Sequence, residues 1–230
     1  MAELNLQHAR LIGEKLRAVR QQRQISLRKL ARTAEISASM LSRIENGSAY
    51  PSVRTIYNIA AALSVPVDYF FPEPGEDGNS ISPAASETAA GLMSVTSMQG
   101  SKLTWPSNAT TMEPIFYEPL SPPVVFAYNR STIQLEGGVE WSRLAAFAES
   151  DAEFMEIVYP LGATSGNTLS RHHGREFGMV LEGELLVELG FSRYTLHVGD
   201  SIAFNSTTPH RLSNVRKEKM RALWAVLNRS

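Results

Sequence analysis

The chain has 230 residues, 43% of them hydrophobic and 20% charged, which is enough for two modest domains. It contains no cysteine, which excludes a disulfide scaffold, a thiolate metal site and a thiol nucleophile, and which fits a reducing cytoplasm. No apolar run reaches about 18 residues and the opening MAELNLQHAR lacks the apolar centre of a secretion signal, so neither a membrane span nor a leader is expected.

The net charge of −1 is divided unevenly. Residues 1–71 hold 10 Lys/Arg against 5 Asp/Glu, whereas residues 72–230 hold 12 against 18. A small basic unit followed by an acidic one points to nucleic acid at one end and a different task at the other.

The basic unit shows helical spacing. Ile12, Leu16 and Val19 fall on one face of a helix that ends near Gln24. Ser26 is read as the N-cap of a short helix that buries Leu27, Leu30 and Ala31. After a tight connection at residues 34–36, Ser37 caps a third helix with Leu41 and Ile44 inward, stopped by Asn46-Gly47. Pro51-Ser52 opens a fourth, with Val53, Ile56, Ala60 and Leu63 in register as far as Pro66. Residues 67–71 supply a last turn that closes the core.

Two short helices joined by a three-residue turn, with further helices behind, form a helix-turn-helix. The stretch ISLRKLARTAEISASMLSRIENGSAYPSVRTIYNIAAAL resembles the lambda-repressor/Cro type of DNA-binding domain, the xenobiotic-response-element class, over residues 8–71. With Leu41 and Ile44 inward, Ser37, Ala38, Ser39, Ser42 and Arg43 face outward, and the first of these are expected to enter the major groove. Arg43 carries the guanidinium fork that matches guanine O6 and N7, and the Ala38 methyl suits a thymine methyl. Arg28 and Asn46 are placed for phosphate, and Ser52 lies at a helix N-terminus that suits an anion. Glu45 is read as a pairing or capping residue within the domain. Two positions depart from the resemblance. Leu27 stands where many relatives carry Gln. Glu35 stands where the turn commonly has Gly, so either its backbone carries a positive φ or the turn differs.

Residues 72–122 change character. Pro, Gly and Ser make up 19 of these 51 residues and Lys102 is the sole basic one, so the segment reads as a linker. Trp105, Ile115, Phe116 and Tyr117 give it the means to dock locally.

From Val124 onward apolar stretches alternate with turn signals, at VVFAYN, EFMEIVYP, EFGMVLEGELLVELG, YTLHVGDSIAFN and MRALWAVLN, a pattern that predicts a β-sandwich or barrel. Gly183, Gly190 and Gly199-Asp200 mark tight turns. HHGREFGMVLEGEL and GDSIAFNSTTPHRLSN are similar to the two motifs of the cupin family, a jelly-roll-like β-barrel. The fold class implied is therefore α + β, multidomain: an all-α helix-turn-helix domain (1–71), a Pro/Gly/Ser-rich linker (72–122) and a cupin domain (123–230).

Metal-binding cupins supply His-X-His, a Glu and a later His. Aligned on Glu176 and Gly183, His172 takes the second His position and Ser170 the first, while His173 points to the other face of a strand. The resemblance thus implies a two-His-one-carboxylate set of His172, Glu176 and His210, which suits one divalent ion: Zn, Fe or Mn. The other reading makes Ser170, His172, Glu176 and His210 the lining of a pocket for an organic effector. Phe154, Met155, Phe177, Met179, Leu181, Phe204 and Trp224 are expected in the barrel core or pocket wall. Arg143 and Arg211 are read as solvated, with carboxylate binding as the alternative, and the run 216–219 as a hairpin turn.

A DNA reader joined to a ligand-sized barrel suggests a cytoplasmic transcription regulator. Its expected partners are a double-stranded DNA operator, a small-molecule effector and a second copy of the chain. The alternative is an enzyme: the domain order and ligand set also resemble the mononuclear iron epoxidase that acts on hydroxypropylphosphonate. No Walker-A, GxSxG or HExxH motif offers other chemistry.

Overall fold

A computed structural model of the protein describes residues 2–72, 124–146, 148–149 and 151–227. All of the expected linker except Pro72 lies outside the described residues.

Four helices form the first domain: α1 (Ala2–Gln22), α2 (Leu27–Thr33), α3 (Ala38–Glu45) and α4 (Val53–Leu63), followed by a 3-10 turn at Val67–Phe70. Each short helix starts where a serine leaves the extended region and accepts the backbone N–H three residues on. Ser26 takes Lys29 N–H, Ser37 takes Met40 N–H and Ser52 takes Thr55 N–H. Most of the expected core is buried: Ile12 and Leu16 of α1, Leu30 of α2, Leu41 and Ile44 of α3, and Ile56 and Leu63 of α4; Ile59 joins them unannounced, and Leu27, expected inside, is only half-buried. Gly13 lets α1 approach α3, since a Cβ there would lie 2.4 Å from the Ile44 carbonyl oxygen. Glu35 in the α2–α3 turn has φ 57°, so the chain accepts the left-handed conformation without glycine. Glu45 is buried and receives Arg20 Nε at 2.5 Å and Nη2 at 2.8 Å, the internal pairing expected of it.

Among the described residues nine strands form the second domain: β1 (Thr132–Gln134), β2 (Glu140–Arg143), β3 (Ala152–Tyr159), β4 (Arg175–Glu182), β5 (Leu185–Leu189), β6 (Ser192–Leu196), β7 (Ser201–Asn205), β8 (His210–Ser213) and β9 (Met220–Leu227). A six-stranded sheet runs β1-β2-β3-β9-β4-β7 and a three-stranded sheet runs β6-β5-β8, with every pairing antiparallel. The turns at Gly183, Gly190 and Gly199 have φ of 74°, 59° and 88°, as their sequence context requires. Between the sheets lie Met155, Ile157, Val180, Val187, Leu212, Trp224 and Val226.

Three expectations need correction. VVFAYN is no strand: its end, Ala127–Asn129, is a 3-10 turn, and the short strands β1, β2 and β8 carry no matching sequence pattern. Phe154, Phe177, Met179 and Leu181 lie on the outer face of the six-stranded sheet at 42%, 37%, 39% and 38% exposure, whereas Met155, Phe204 and Trp224 are core. β4 carries Phe177, Met179 and Leu181 at odd positions and Glu176, Gly178 and Val180 at even ones, so alternation favours the wrong face: the buried side is the one that brings Glu176 and Gly178 against Trp224. Arg143 is not solvated. It is 1% exposed, its guanidinium carbon lies 5.7 Å from the Phe71 ring centroid, and Nη2 donates to the Pro72 carbonyl at 3.5 Å. Arg211 is held by Glu188 and the Asn167 carbonyl.

Candidate functional site

The helix-turn-helix presents an open face. Arg28 of α2 is exposed, as are Ser39 and Arg43 of α3 and its caps Ser37 and Asn46, while Ala38 and Ser42 of α3 are half-buried. The Ser37 hydroxyl lies 3.0 Å from that of Ser39 besides capping the helix, and Asn46 Oδ1 accepts from Arg17. Ser52 is different. It is 9% exposed, and its Oγ sits 2.9 Å from Thr55 Oγ1 as well as accepting Thr55 N–H. The neighbouring Pro51 carbonyl accepts Glu136 N–H of the second domain at 2.9 Å. The start of α4 is a domain contact.

The barrel brings His172, Glu176 and His210 together, with ligand atoms within 4.8 Å of one another. Glu176 points inward from β4, His210 opens β8, and His172 comes from the loop before β4. Both His Nε2 atoms lie 3.1 Å from Glu176 Oε1. Each imidazole is turned by its other nitrogen: His172 Nδ1 lies 2.9 Å from the His173 carbonyl and His210 Nδ1 lies 2.9 Å from the Thr208 carbonyl. A carbonyl can only accept, so Nδ1 carries the hydrogen and Nε2 is the atom presented to the centre. Trp224 Nε1 donates to Glu176 Oε2 at 2.8 Å and fixes which carboxylate oxygen meets the histidines. Trp224 reaches that position because its partner across the β4–β9 ladder is Gly178, where a Cβ would lie 2.0 Å from the indole.

These residues fit a divalent ion. Separations near 3 Å are those of ligands sharing one ion at about 2.0–2.2 Å, and orienting hydrogen bonds on the far nitrogens accompany His ligands. Glu176 Oε1, buried and facing both Nε2 atoms, receives no hydrogen bond of good geometry. Trp141 and Tyr159 line the same chamber, where burial and the Glu176 carboxylate hold the Tyr159 phenol above its ordinary pKa against the opposing effect of the Trp141 N–H beside it. Burial draws the His172 pKa down, but the Glu176 carboxylate outweighs it and holds the imidazole above its ordinary value. Burial pushes Glu176 up, but His172, His210 and Trp224 outweigh it and hold the carboxyl below the ordinary range. A central positive charge, proton or metal, is what this arrangement favours. Ser170 is buried beside the cluster, where its Oγ donates to the His210 carbonyl at 3.3 Å, so it lines the chamber but gives its hydrogen elsewhere.

Sequence reasoning missed one side of this chamber. Val53 and Tyr57 of α4 close it from the helical domain. The Tyr57 ring stacks on His172 with centroids 4.1 Å apart and planes 6° apart, and its hydroxyl donates to Glu153 Oε2 at 2.7 Å. Burial and the carboxylates of Glu153 and Glu176 push the phenol well above its usual pKa, so it is a donor. What remains is about 10 Å³ for the centre of a water molecule, room for one water or one bare ion. A larger crevice of about 490 Å³ lies outside it along the domain seam, lined by Glu35, Arg54, Asn58, Ser170, Arg171 and Pro209 among others. Ser170 is wall to both.

An open helix-turn-helix face and a β-barrel with a buried two-His-one-carboxylate cluster define a two-domain class: helix-turn-helix proteins with a C-terminal cupin domain. The helix-turn-helix family model matches residues 16–70 and the cupin domain model residues 155–226. The chain is 26% identical over 202 residues, 88% of its length and 86% of the relative's, to the HTH-type transcriptional regulator PuuR of Escherichia coli (strain K12). It is 34% identical over 90 residues to the HTH-type transcriptional regulator SutR of the same organism, covering 39% of this chain and 48% of that one. The crystal structure of an HTH_3 family transcriptional regulator from Vibrio cholerae shares the fold across both domains, with TM-score 0.60, 19% identity and coverage of 98% and 99%. The chain is thus homologous to transcription regulators; these relatives do not bear the names of enzymes. No helix among the described residues is long and apolar enough to cross a membrane.

Proposed function

We propose that the protein is a sequence-specific, double-stranded-DNA-binding transcription regulator of the cytoplasm whose cupin barrel holds a divalent ion and answers to a small-molecule effector. The observation that carries this reading is the pairing of an exposed α3 face with a buried, charge-hungry cluster in one chain. Ser37, Ala38, Ser39, Ser42 and Arg43 are the base-facing set, and Arg28 and Asn46 meet phosphate. His172, Glu176 and His210 hold the ion, with Zn, Fe and Mn all compatible with the donor set. An ion there supplies a fixed positive charge and open coordination positions. The effector enters from the seam crevice, where Ser170 separates it from the cluster.

One helix-turn-helix touches few base pairs, so useful specificity calls for two copies. The outer face of the six-stranded sheet, with Phe154, Phe177, Met179 and Leu181, is the surface proposed for a second copy; light scattering that finds only monomer refutes this part. The DNA reading is tested by selecting sites from a random duplex pool at moderate salt. An enriched sequence is expected, and Arg43→Ala is expected to weaken its binding by about 1–3 kcal/mol and to relax one base position. Equal affinity for all duplexes would refute the reading.

A further inference from the structure

The chamber around His172, Glu176 and His210 is not a property of the cupin domain alone. Its outer wall is Tyr57, four residues into the helix that follows the recognition helix, and α4 is held there by more than this one ring. Arg54 N–H donates to the Ser165 carbonyl at 3.0 Å, Glu136 N–H donates to the Pro51 carbonyl at 2.9 Å, and the Arg54 guanidinium reaches Thr168. The opposite face of α4 carries Ile56, Ile59 and Leu63 into the same core as Leu41 and Ile44 of α3. A displacement of α4 from the barrel therefore carries α3 with it.

His172 stands between the two domains. One edge of its ring meets Glu176 at 3.1 Å, and one face carries Tyr57 at 4.1 Å with the planes 6° apart. The flat stack requires one ring orientation of His172. The same orientation aims Nε2 at the cluster centre. An ion bound there removes the freedom of that ring and so favours the stack; a docked Tyr57 in turn holds a ligand in place before the ion arrives. The remaining space admits an ion without displacing Tyr57, so binding and docking do not compete.

We propose that Tyr57 is a positioning residue through which the DNA-binding domain and the barrel's ion-binding site stabilise each other: ion uptake at His172, Glu176 and His210 strengthens docking of α4, and docking strengthens ion uptake. This rests on the ion-binding reading given above. By linkage the two effects are equal in size.

The full chain lacks cysteine, so one can be placed on each domain for a dye pair, Lys29→Cys and Phe191→Cys, both exposed positions. Calorimetry with Mn²⁺ alone and energy transfer between the dyes are then measured in the same protein, with circular dichroism confirming that each variant folds. The parent is expected to bind Mn²⁺ and to show a more populated docked state with the ion. Tyr57→Ala is expected to weaken Mn²⁺ binding about tenfold and to abolish the ion-dependent change in transfer. Tyr57→Phe, which keeps the stack and loses only the hydrogen bond to Glu153, is expected to restore most of both. A parent that binds Mn²⁺ while Tyr57→Ala matches it in affinity and in transfer overturns the role of Tyr57 and leaves the ion site standing. A parent that takes up no Mn²⁺ at millimolar concentration overturns the ion site and this inference together.

Discussion

Helices α3 and α4 are neighbours of similar build, both capped by serine and both anchored in the same core, yet their outward faces meet different surroundings. On α3 the outward side chains are short apart from Arg43, and they are exposed or, at Ala38 and Ser42, half-buried. On α4 Arg54 and Tyr57 project into the second domain, where backbone, hydroxyl and imidazole groups receive them. The contrast shows how a domain of about 70 residues can hold a free surface for one partner and a committed surface for another: the two lie on successive helices sharing a core, so neither can turn without the other.

The comparison is broken most severely at the barrel. Glu176→Gln removes the charge that faces both imidazoles and is expected to lower divalent-ion affinity more than about 100-fold, since even groups that merely orient a ligand are worth about 10–100-fold. Sequence preference at α3 should survive it, as measured by the pool selection. Next in size is Gly178→Ala. Its methyl enters the Trp224 ring, so a loss of about 1–3 kcal/mol in denaturant unfolding is expected, together with weaker ion binding as the indole leaves Glu176.

A smaller effect of opposite sign is expected in the α2–α3 turn. Glu35 adopts φ 57°, and Glu35→Gly should raise stability by up to about 1 kcal/mol. The Glu35–Arg54 pair that it removes, at 3.4 Å with Glu35 largely exposed, is worth little. Smallest is a control away from both helices. Arg221 bonds to Glu156 on the outer sheet face and, with Arg130, holds its carboxyl below the usual range in spite of partial burial. A lowered folded-state pKa stabilises above the ordinary carboxylate range and is lost as pH falls through the folded value. Glu156→Gln should therefore cost under about 1 kcal/mol at pH 7 and nothing once the wild-type carboxyl is protonated, as followed by unfolding at a series of pH values.

Much of this was legible in the residues. Ser26 and Ser37 announce their helices because a short hydroxyl before an apolar stripe has few other uses, and both cap as expected; Ser52, read as an anion contact, caps its helix as well. His172, Glu176 and His210 were nameable from motif resemblance and do converge. Tyr57 was not. It stands four residues after Val53 and three before Ala60, so its spacing reads as one more core position and gives no sign that it faces a second domain. Strand β2 hid for a related reason. Four residues are too short for alternation to register, and a charged Arg143 at a buried position makes sense only once Phe71 lies against it.

The stopper of the barrel belongs to its neighbour, which limits how such chains can be recombined. A chimera that fits a foreign helix-turn-helix domain onto this cupin would inherit an uncorked chamber unless the graft also supplied an aromatic at the Tyr57 station. In this architecture the unit of inheritance is the seam as much as either domain.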